Sequence, residues 1–510
     1  MDSEVEGQPP TGSTAARRRV PVRLRRVLQQ PFRSVLHQQG LVNSRLTAAS
    51  EALAESDRRL ALEVGRDIGD LAGRLLGELS ELQLTVHRLE SALERFDHPL
   101  GGTGTEVTAG SSDGAGPSPR PAGPTSLPDR AGINLVGDLT ATTGLAQAGR
   151  RLAVGLRRRG VPVSVTPVRS GAPQMDELFP EELSGLPGGT PYPVDLVTLN
   201  VNEVPAVPTA DLGRARTGRP AIGAWYWEFE TLPPDLVEQV DRIDELWAPT
   251  TFVERAFSRC TDIPIHVVPT IVPVFERHAE PALVRRRWGL APDDVVFLFS
   301  FDFNSSVVRK NPFGVVEAYR RAFGTRAPGT CLVIKAINLA NSPLFEADLR
   351  SAVDEVGGVL IDEHLSQDQL GDLFHAADVY VSLHRSEGFG LGLAEAMAIG
   401  KAVVGTAYSG NVDFMHVGNS GLVGYRLRPI TAEDHRYSAA VGSVYRPGLL
   451  VAEPDIDQAA RWLQALAADP HLRRRLGTAA AATMAAGYSE DAVVDLALDR
   501  LRARWSTTPD

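Results

Sequence analysis

The stretch Glu387 to Glu395, read EGFGLGLAE, sets two carboxylates around glycines at 388, 390 and 392. Glycine lets an anion approach the backbone N–H groups closely, whereas an ionised carboxylate only accepts hydrogen bonds and so suits ligand hydroxyls. A ligand that presents phosphate to the one and hydroxyls to the other is a sugar nucleotide. The elements that must hold this turn are legible on both sides. The apolar run Ala377 to Leu383 predicts a buried strand, and Ala394 to Ile399 predicts a helix. The glycines therefore sit at a strand-to-helix turn, where free N–H groups and the helix dipole favour an anion. The dinucleotide fingerprint GxGxxG is broken, because position 393 is Leu.

Cations follow the same logic. Of 52 basic residues only Lys310, Lys335 and Lys401 are lysines, a bias expected of a GC-rich genome, so each surviving ammonium invites a reason. A compact ammonium makes a point-charge contact to phosphate. Arg309-Lys310-Asn311-Pro312 opens the helical run Phe313 to Phe323, after the strand Asp294 to Leu298 and the loop Ser300 to Ser306. Lys310 there reads as a phosphate contact or as a solvated helix N-terminus. Lys335 ends the strand run Thr330 to Ile334 and reads either as a phosphate contact or as a snorkelling side chain. Lys401, after Gly400, reads as surface.

Taken together, the glutamate, seven residues, glutamate spacing of Glu387 and Glu395, with FDFNSSVVRKNP, LHRSEGFG and YSGNVDFM, resembles family 4 of the retaining glycosyltransferases, in an actinobacterial-type branch. The resemblance runs over roughly residues 131 to 505. It implies an α/β chain of the GT-B fold: two facing Rossmann-like parallel-sheet domains, 131–280 for the acceptor and 281–480 for the donor, with 481–510 a helix returning to the N-terminal domain. It also implies residue roles. Glu387, Lys310 and Arg309 are the catalytic candidates, the two cations stabilising the leaving diphosphate with the backbone at Gly388 to Gly390. Glu387 reaches donor-sugar hydroxyls and Glu395 the ribose, while Phe389, Asn304, Lys335, His384 and Gly144 complete the donor side. The expected chemistry is retaining front-face transfer, a donor phosphate oxygen accepting the acceptor's proton, with no metal or other cofactor. Asp455-Ile456-Asp457 mimics a metal-binding Asp-x-Asp, yet it precedes the helical run Gln458 to Ala467, and acids in a first helical turn answer to the dipole alone.

The N-terminal half repeats the strand, glycine loop and helix. Gly132 to Gly137 predicts a strand, Gly144 and Leu145 a cleft-facing turn, and Ala146 to Arg159 a helix; strands at 161–165, 194–200 and 219–225 continue an alternating β/α pattern. In Trp225-Tyr226-Trp227-Glu228, Trp227 reads as an acceptor-side stacking platform or as core, and Glu228 as an acceptor-side cleft residue. Glu245 to Phe252 resembles an interdomain strand and the helix start after it, Thr251 serving as a cap.

Composition sets the remaining bounds. At 510 residues the chain is long enough for two or three cores, and no run approaches a membrane span. A formal charge of −11 argues against general nucleic-acid binding, and two unpatterned cysteines suit a reducing cytoplasm. Residues 1–40 form a basic, partly disordered segment. Its stretch 17–36 reads either as an amphipathic anchor on the anionic inner membrane face or as a disordered tail. Residues 41–97 predict a coiled-coil helix with a heptad seam over 64–96, from Val64 to Phe96. Because 98–130 is a Gly/Pro/Ser-rich linker, the seam's expected partner is a second copy of the helix rather than the catalytic body. The expected partners are thus a nucleotide sugar, a glycan or lipid-linked acceptor, the membrane surface and a homo-oligomer. Two other readings remain: an inactive sugar-binding scaffold working through its coiled coil, and a GT-B sugar-nucleotide epimerase or phosphorylase.

Overall fold

The structure, a computed structural model, describes residues 70–71, 73–85, 127–128, 130–141, 143–169, 179–204, 219–437 and 445–507. The basic segment, most of the predicted coiled coil and nearly all of the linker lie outside the described residues. Residues 70–71 and 73–85 are helical and are here α1.

An N-terminal domain alternates β1 (Ile133–Gly137), α2 (Gly144–Arg158), β2 (Val163–Pro167), β3 (Val194–Thr198), β4 (Ala221–Ala224), α3 (Pro234–Val240), β5 (Glu245–Ala248), α4 (Thr251–Ser258) and β6 (Ile265–Val267). A C-terminal domain continues with α5 (Pro281–Arg287), β7 (Val295–Asp302), α6 (Val307–Lys310), α7 (Pro312–Phe323), β8 (Thr330–Ile337), α8 (Pro343–Glu355), β9 (Val359–Asp362), α9 (Gln367–Ala376), β10 (Val379–Ser382), α10 (Leu391–Ala398), β11 (Ala402–Thr406) and β12 (Gly421–Val423). The hairpin β13 (Tyr425–Pro429) and β14 (Leu450–Pro454) precedes α11 (Ile456–Ala468), α12 (Pro470–Gly487) and α13 (Glu490–Thr507).

Each domain holds one six-stranded parallel sheet, as expected of this fold class. Helices cover both faces, so the strands read as continuous apolar runs; Val296, Phe297, Leu298 and Phe299 of β7 are all essentially inaccessible. Strand order decides where a ligand can go. The C-terminal sheet runs β12-β11-β10-β7-β8-β9, so the chain reverses direction between β7 and β10; the N-terminal sheet runs β2-β1-β3-β4-β5-β6 and reverses between β1 and β3. In open α/β sheets the crevice beyond the carboxyl ends at such a reversal takes the ligand. In the C-terminal sheet that crevice is walled by the segments carrying Arg309, Lys310 and Glu387.

Three placements correct the sequence reading. Glu245 to Ala248 is not an interdomain strand but β5, paired in register between β4 and β6. The cap of α4 is Thr250, whose hydroxyl accepts from Val253 N, while Thr251 bonds Asp413 of the other domain. Helix α1 is attached to the catalytic body. Gly73 and Gly77 bring it against the backbone at Gly424 and Tyr425, Ser80 Oγ accepts from Trp462 Nε1 at 2.8 Å, and Gln458 Nε2 donates to Gly77 O at 2.7 Å. Of the predicted seam, Leu79 is buried against the body together with Leu76 and Leu84, whereas Leu71 and Leu82 remain 50% and 54% exposed, so the docked face takes in only part of the seam. At the other end of the chain, Val493, Val494, Leu498, Leu501 and Trp505 of α13 pack into the N-terminal domain, where Trp505 Nε1 donates to Gly132 O at 3.1 Å.

Candidate active site

Backbone stitching brings the predicted cations to the predicted carboxylate. Asn311 takes a left-handed conformation (φ 50°) to cap α7, and its amide donates to Leu383 O at 2.8 Å, while Arg385 N donates to Arg309 O at 2.7 Å. The end of α6 thereby lies along the strand-end segment 383–387. Lys310 Nζ sits 2.6 Å from Glu387 Oε1 and Arg309 Nη1 sits 2.8 Å from Oε2, so one buried carboxylate is gripped by two cations. Burial alone would favour the neutral acid, but Arg309 and Lys310 hold the Glu387 pKa down to about 2. Burial works against the charge on Arg309 as well, yet Glu387, Tyr445 and Glu228 outweigh it and raise its pKa. Lys310 is lowered by burial, with Arg309 adding to the effect. Glu228, from the opposite domain, closes the cluster with Oε1 3.9 Å from Arg309 Nη2.

The glycine turn is pressed between elements. Gly390 is left-handed (φ 97°) as it starts α10, and a Cβ on Gly410 would strike the Gly388 carbonyl, so glycine is required where the loop after β11 underlies the turn. Ser409 Oγ accepts from Glu387 N at 2.8 Å. Across the cleft, Thr250 Oγ1 donates to Gly388 O at 2.9 Å and Ser386 Oγ donates to Glu228 O, so the two domains meet at the turn itself. Glu395, on α10, is 3.4 Å from Arg151 Nη2 of α2, and burial raises its pKa to about 7 despite that arginine. A Cβ added to Gly144 would lie 3.8 Å from the Leu391 side chain, which puts the start of α2 beside the start of α10.

Other candidates are placed differently. The Phe389 ring is buried against Phe414 and Tyr488, at centroid distances of 5.2 and 6.0 Å, so packing takes the side chain and only its backbone is left for the turn. Trp227 is wholly buried, its indole N–H bonded to Thr231 O at 3.0 Å, so it is core and not a stacking platform. His384 lies beneath the turn with both ring nitrogens used, one near Asn411 Oδ1 at 2.9 Å and one near Ser382 Oγ at 3.1 Å, and burial lowers its pKa. Asn304 is exposed and tied to Asn341 at 2.8 Å. Lys335 is buried with its pKa lowered to about 8 by burial; its balancing charges are Asp362, Asp302 and Glu363 rather than the Glu387 cluster. Lys401, expected at the surface, donates to the carbonyls of His375 and Ala377 at 2.7 Å each and so closes the C-terminal end of α9. Asp455 caps α11 and Asp457 pairs with Arg321 at 2.7 Å.

Three participants escaped the sequence reading. Tyr445 bonds Arg309, Asp413 anchors the start of α4 across the domains with both oxygens at 2.7 Å, and Arg151 reaches Glu395. Only Asp413 had a sequence signal, falling inside the YSGNVDFM stretch.

With this geometry in hand, the comparisons are specific to one domain and one fold. Residues 307–434, which carry Arg309, Lys310, Glu387 and Glu395, match the family described as Glycosyl transferases group 1. No curated protein matches the chain. Among solved structures, sucrose-phosphate synthase from Thermosynechococcus elongatus aligns at 15% identity over 74% of this chain and 100% of its own, with a TM-score of 0.54. A glycosyltransferase from Rickettsia africae aligns at 12% identity over 74% and 100%, also with a TM-score of 0.54. Anabaena HepE in complex with UDP and glucose aligns at 14% identity over 73% and 99%, with a TM-score of 0.51. At these identities the solved structures speak for the fold. Together with the family match over the C-terminal domain, they support a glycosyltransferase of GT-B architecture.

Proposed function

We propose that the chain is a family 4 enzyme that transfers a hexosyl unit from a nucleoside diphosphate sugar to a hydroxyl of a glycan or lipid-linked glycan, with retention and without a metal. The observation that carries this reading is the cluster of Arg309 and Lys310 on Glu387, within 2.8 Å, at the mouth of the glycine turn. Formally, Arg309 and Lys310 are balanced by Glu387 and Glu228, so this cluster is neutral without ligand, and a diphosphate brings charge that the two cations and the turn's N–H groups can stabilise. As the bond from the sugar C1 to phosphate breaks, charge develops on the leaving oxygen, and preorganised donors act there without reorganising. The acceptor oxygen bonds to C1 on the same face, its proton passing to that phosphate oxygen. Glu387 then accepts from sugar hydroxyls and Glu395 from the ribose.

In this reading the heptad seam 64–96 pairs with a second copy, which is supported by the exposure of its members Leu71 and Leu82, while Leu79 of the same seam is buried against the catalytic body. The basic stretch 17–36 would hold the protein at the cytoplasmic face of an anionic membrane. Among the described residues no helix is long and apolar enough to cross a membrane.

The test is turnover. The full chain is incubated with GDP-, UDP- and dTDP-sugars and glycan acceptors, and the new anomeric centre is read by proton NMR. One donor should give product with the anomeric configuration of that donor. Inverted product would overturn the mechanism, and binding without turnover across all donors would favour the scaffold reading.

A further inference from the structure

On the reading that the cleft takes a nucleoside diphosphate sugar, we propose that Arg151 of the N-terminal domain is a positioning residue for the nucleotide: it holds Glu395 as an oriented carboxylate for the ribose and makes nucleotide affinity depend on domain closure. Three observations lead there. First, Gly144, Gln147 and Arg151 lie at i, i+3 and i+7 on α2, one helical face that meets the C-terminal domain: a Cβ on Gly144 would reach within 3.8 Å of Leu391, Gln147 bonds Gln367 (3.2 Å) and Arg151 pairs with Glu395 (3.4 Å). That face is the closing surface. Second, the Arg151 and Glu395 side chains are only 17% and 8% exposed, and Arg151 Nη1 is buried with no hydrogen-bond partner. A buried guanidinium with an unused donor is costly unless a ligand or a closer approach completes it. Third, the one contact between them is long, so ligand hydroxyls can share the carboxylate at little loss.

The charge balance sharpens the role. Burial raises the Glu395 pKa to about 7, and Arg151 is the group that pulls it down. The other titratable neighbours are Tyr380 beneath α10, which feels both Glu395 and Glu387, and Tyr226 and Arg150 beside Arg151. None of these supplies a second direct cation to Glu395. A carboxyl with a raised pKa is protonated below it and charged above it, so the ribose acceptor forms as pH rises through about 7. Without Arg151, that rise moves to higher pH.

The experiment uses the full chain, its Arg151→Met and Arg151→Lys variants, and whichever of UDP, GDP or dTDP the parent binds. Affinity is measured from pH 6 to 9, alongside donor KM, kcat and the Glu395 carboxyl resonance in nucleotide-free protein. The expected result is parental affinity that strengthens through pH 7. In Arg151→Met, affinity should be weaker by about tenfold at pH 7, with the midpoint and the resonance displaced upward by about one unit, kcat changed far less than KM, and most of the loss recovered in Arg151→Lys. Binding by the parent that Arg151→Met leaves unchanged in strength and midpoint overturns the role of Arg151 alone. A loss equal at every pH, with an unmoved Glu395 resonance and a lowered Tm, overturns it in favour of simple packing. A parent protein that binds none of the three diphosphates overturns the donor reading, and this role with it.

Discussion

Replacing Lys310 by alanine isolates the charge on which the proposed chemistry turns. Its Nζ lies 2.6 Å from Glu387, while Arg309 holds the other oxygen at 2.8 Å, so the substitution leaves Glu387 paired and should leave the fold intact. What changes is the sum. The cluster of Arg309, Lys310, Glu387 and Glu228 goes from formally neutral to one negative charge, facing a leaving group that must take up more. One unit charge at about 4 Å and an effective dielectric of about 20 is worth roughly 4 kcal/mol. Loss of one preorganised donor elsewhere costs about 10²–10³ in kcat, or about 3–4 kcal/mol, and the two figures agree. The assay is release of nucleoside diphosphate at saturating donor and acceptor, with a thermal melt alongside. We predict a kcat lower by that factor and a Tm within a few degrees of the parent. A kcat within about threefold would refute the assignment.

Other consequences are separable from the chemistry. Gly73→Leu would drive a side chain into the Tyr425 carbonyl under α1, so it should destabilise by about 1–3 kcal/mol and open residues 70–85 to hydrogen exchange; unchanged exchange would show that the docking is dispensable. Trp227→Ala empties a fully buried site and should cost about 3–5 kcal/mol of stability. A protein of parental Tm with only a raised acceptor KM would restore Trp227 as a stacking residue. Activity should survive excess chelator, because Arg309, Lys310 and the turn fill the metal's electrostatic role; silencing by EDTA with rescue by magnesium would contradict that.

What the sequence displayed well was the part that parallel sheets make conspicuous. Doubly buried strands are unbroken apolar runs, and the glycine turn and the Arg309-Lys310 pair each follow one directly, so the cations and Glu387 could be nominated together. Their meeting could not be seen, because it depends on β7 and β10 being neighbours across the reversal of strand order. Arg151 was invisible for another reason. In a chain whose cations are almost all arginine, nothing local separates it from Arg150, which turns inward to the carbonyls of Leu139 and Ala141. Helix α1 shows the limits of periodicity. Its leucine seam is the strongest pattern, yet the face that docks combines one seam leucine, Leu79, with the off-seam Leu76 and Leu84 and with Gly73, Gly77 and Ser80, small residues whose value appears only when Gly424 and Trp462 lie opposite. Trp227 failed as a platform because the chain after β4 turns its indole inward, to Thr231 O.

The central claim is that the turn, its two cations and its two glutamates form a nucleoside diphosphate site. Calorimetric titration of UDP, GDP and dTDP into the full chain and into Lys310→Ala tests it most directly. The account predicts one site per chain for at least one of these nucleotides, with affinity at least tenfold weaker in the variant. Failure of all three to bind, or binding that Lys310→Ala leaves unchanged, would contradict it.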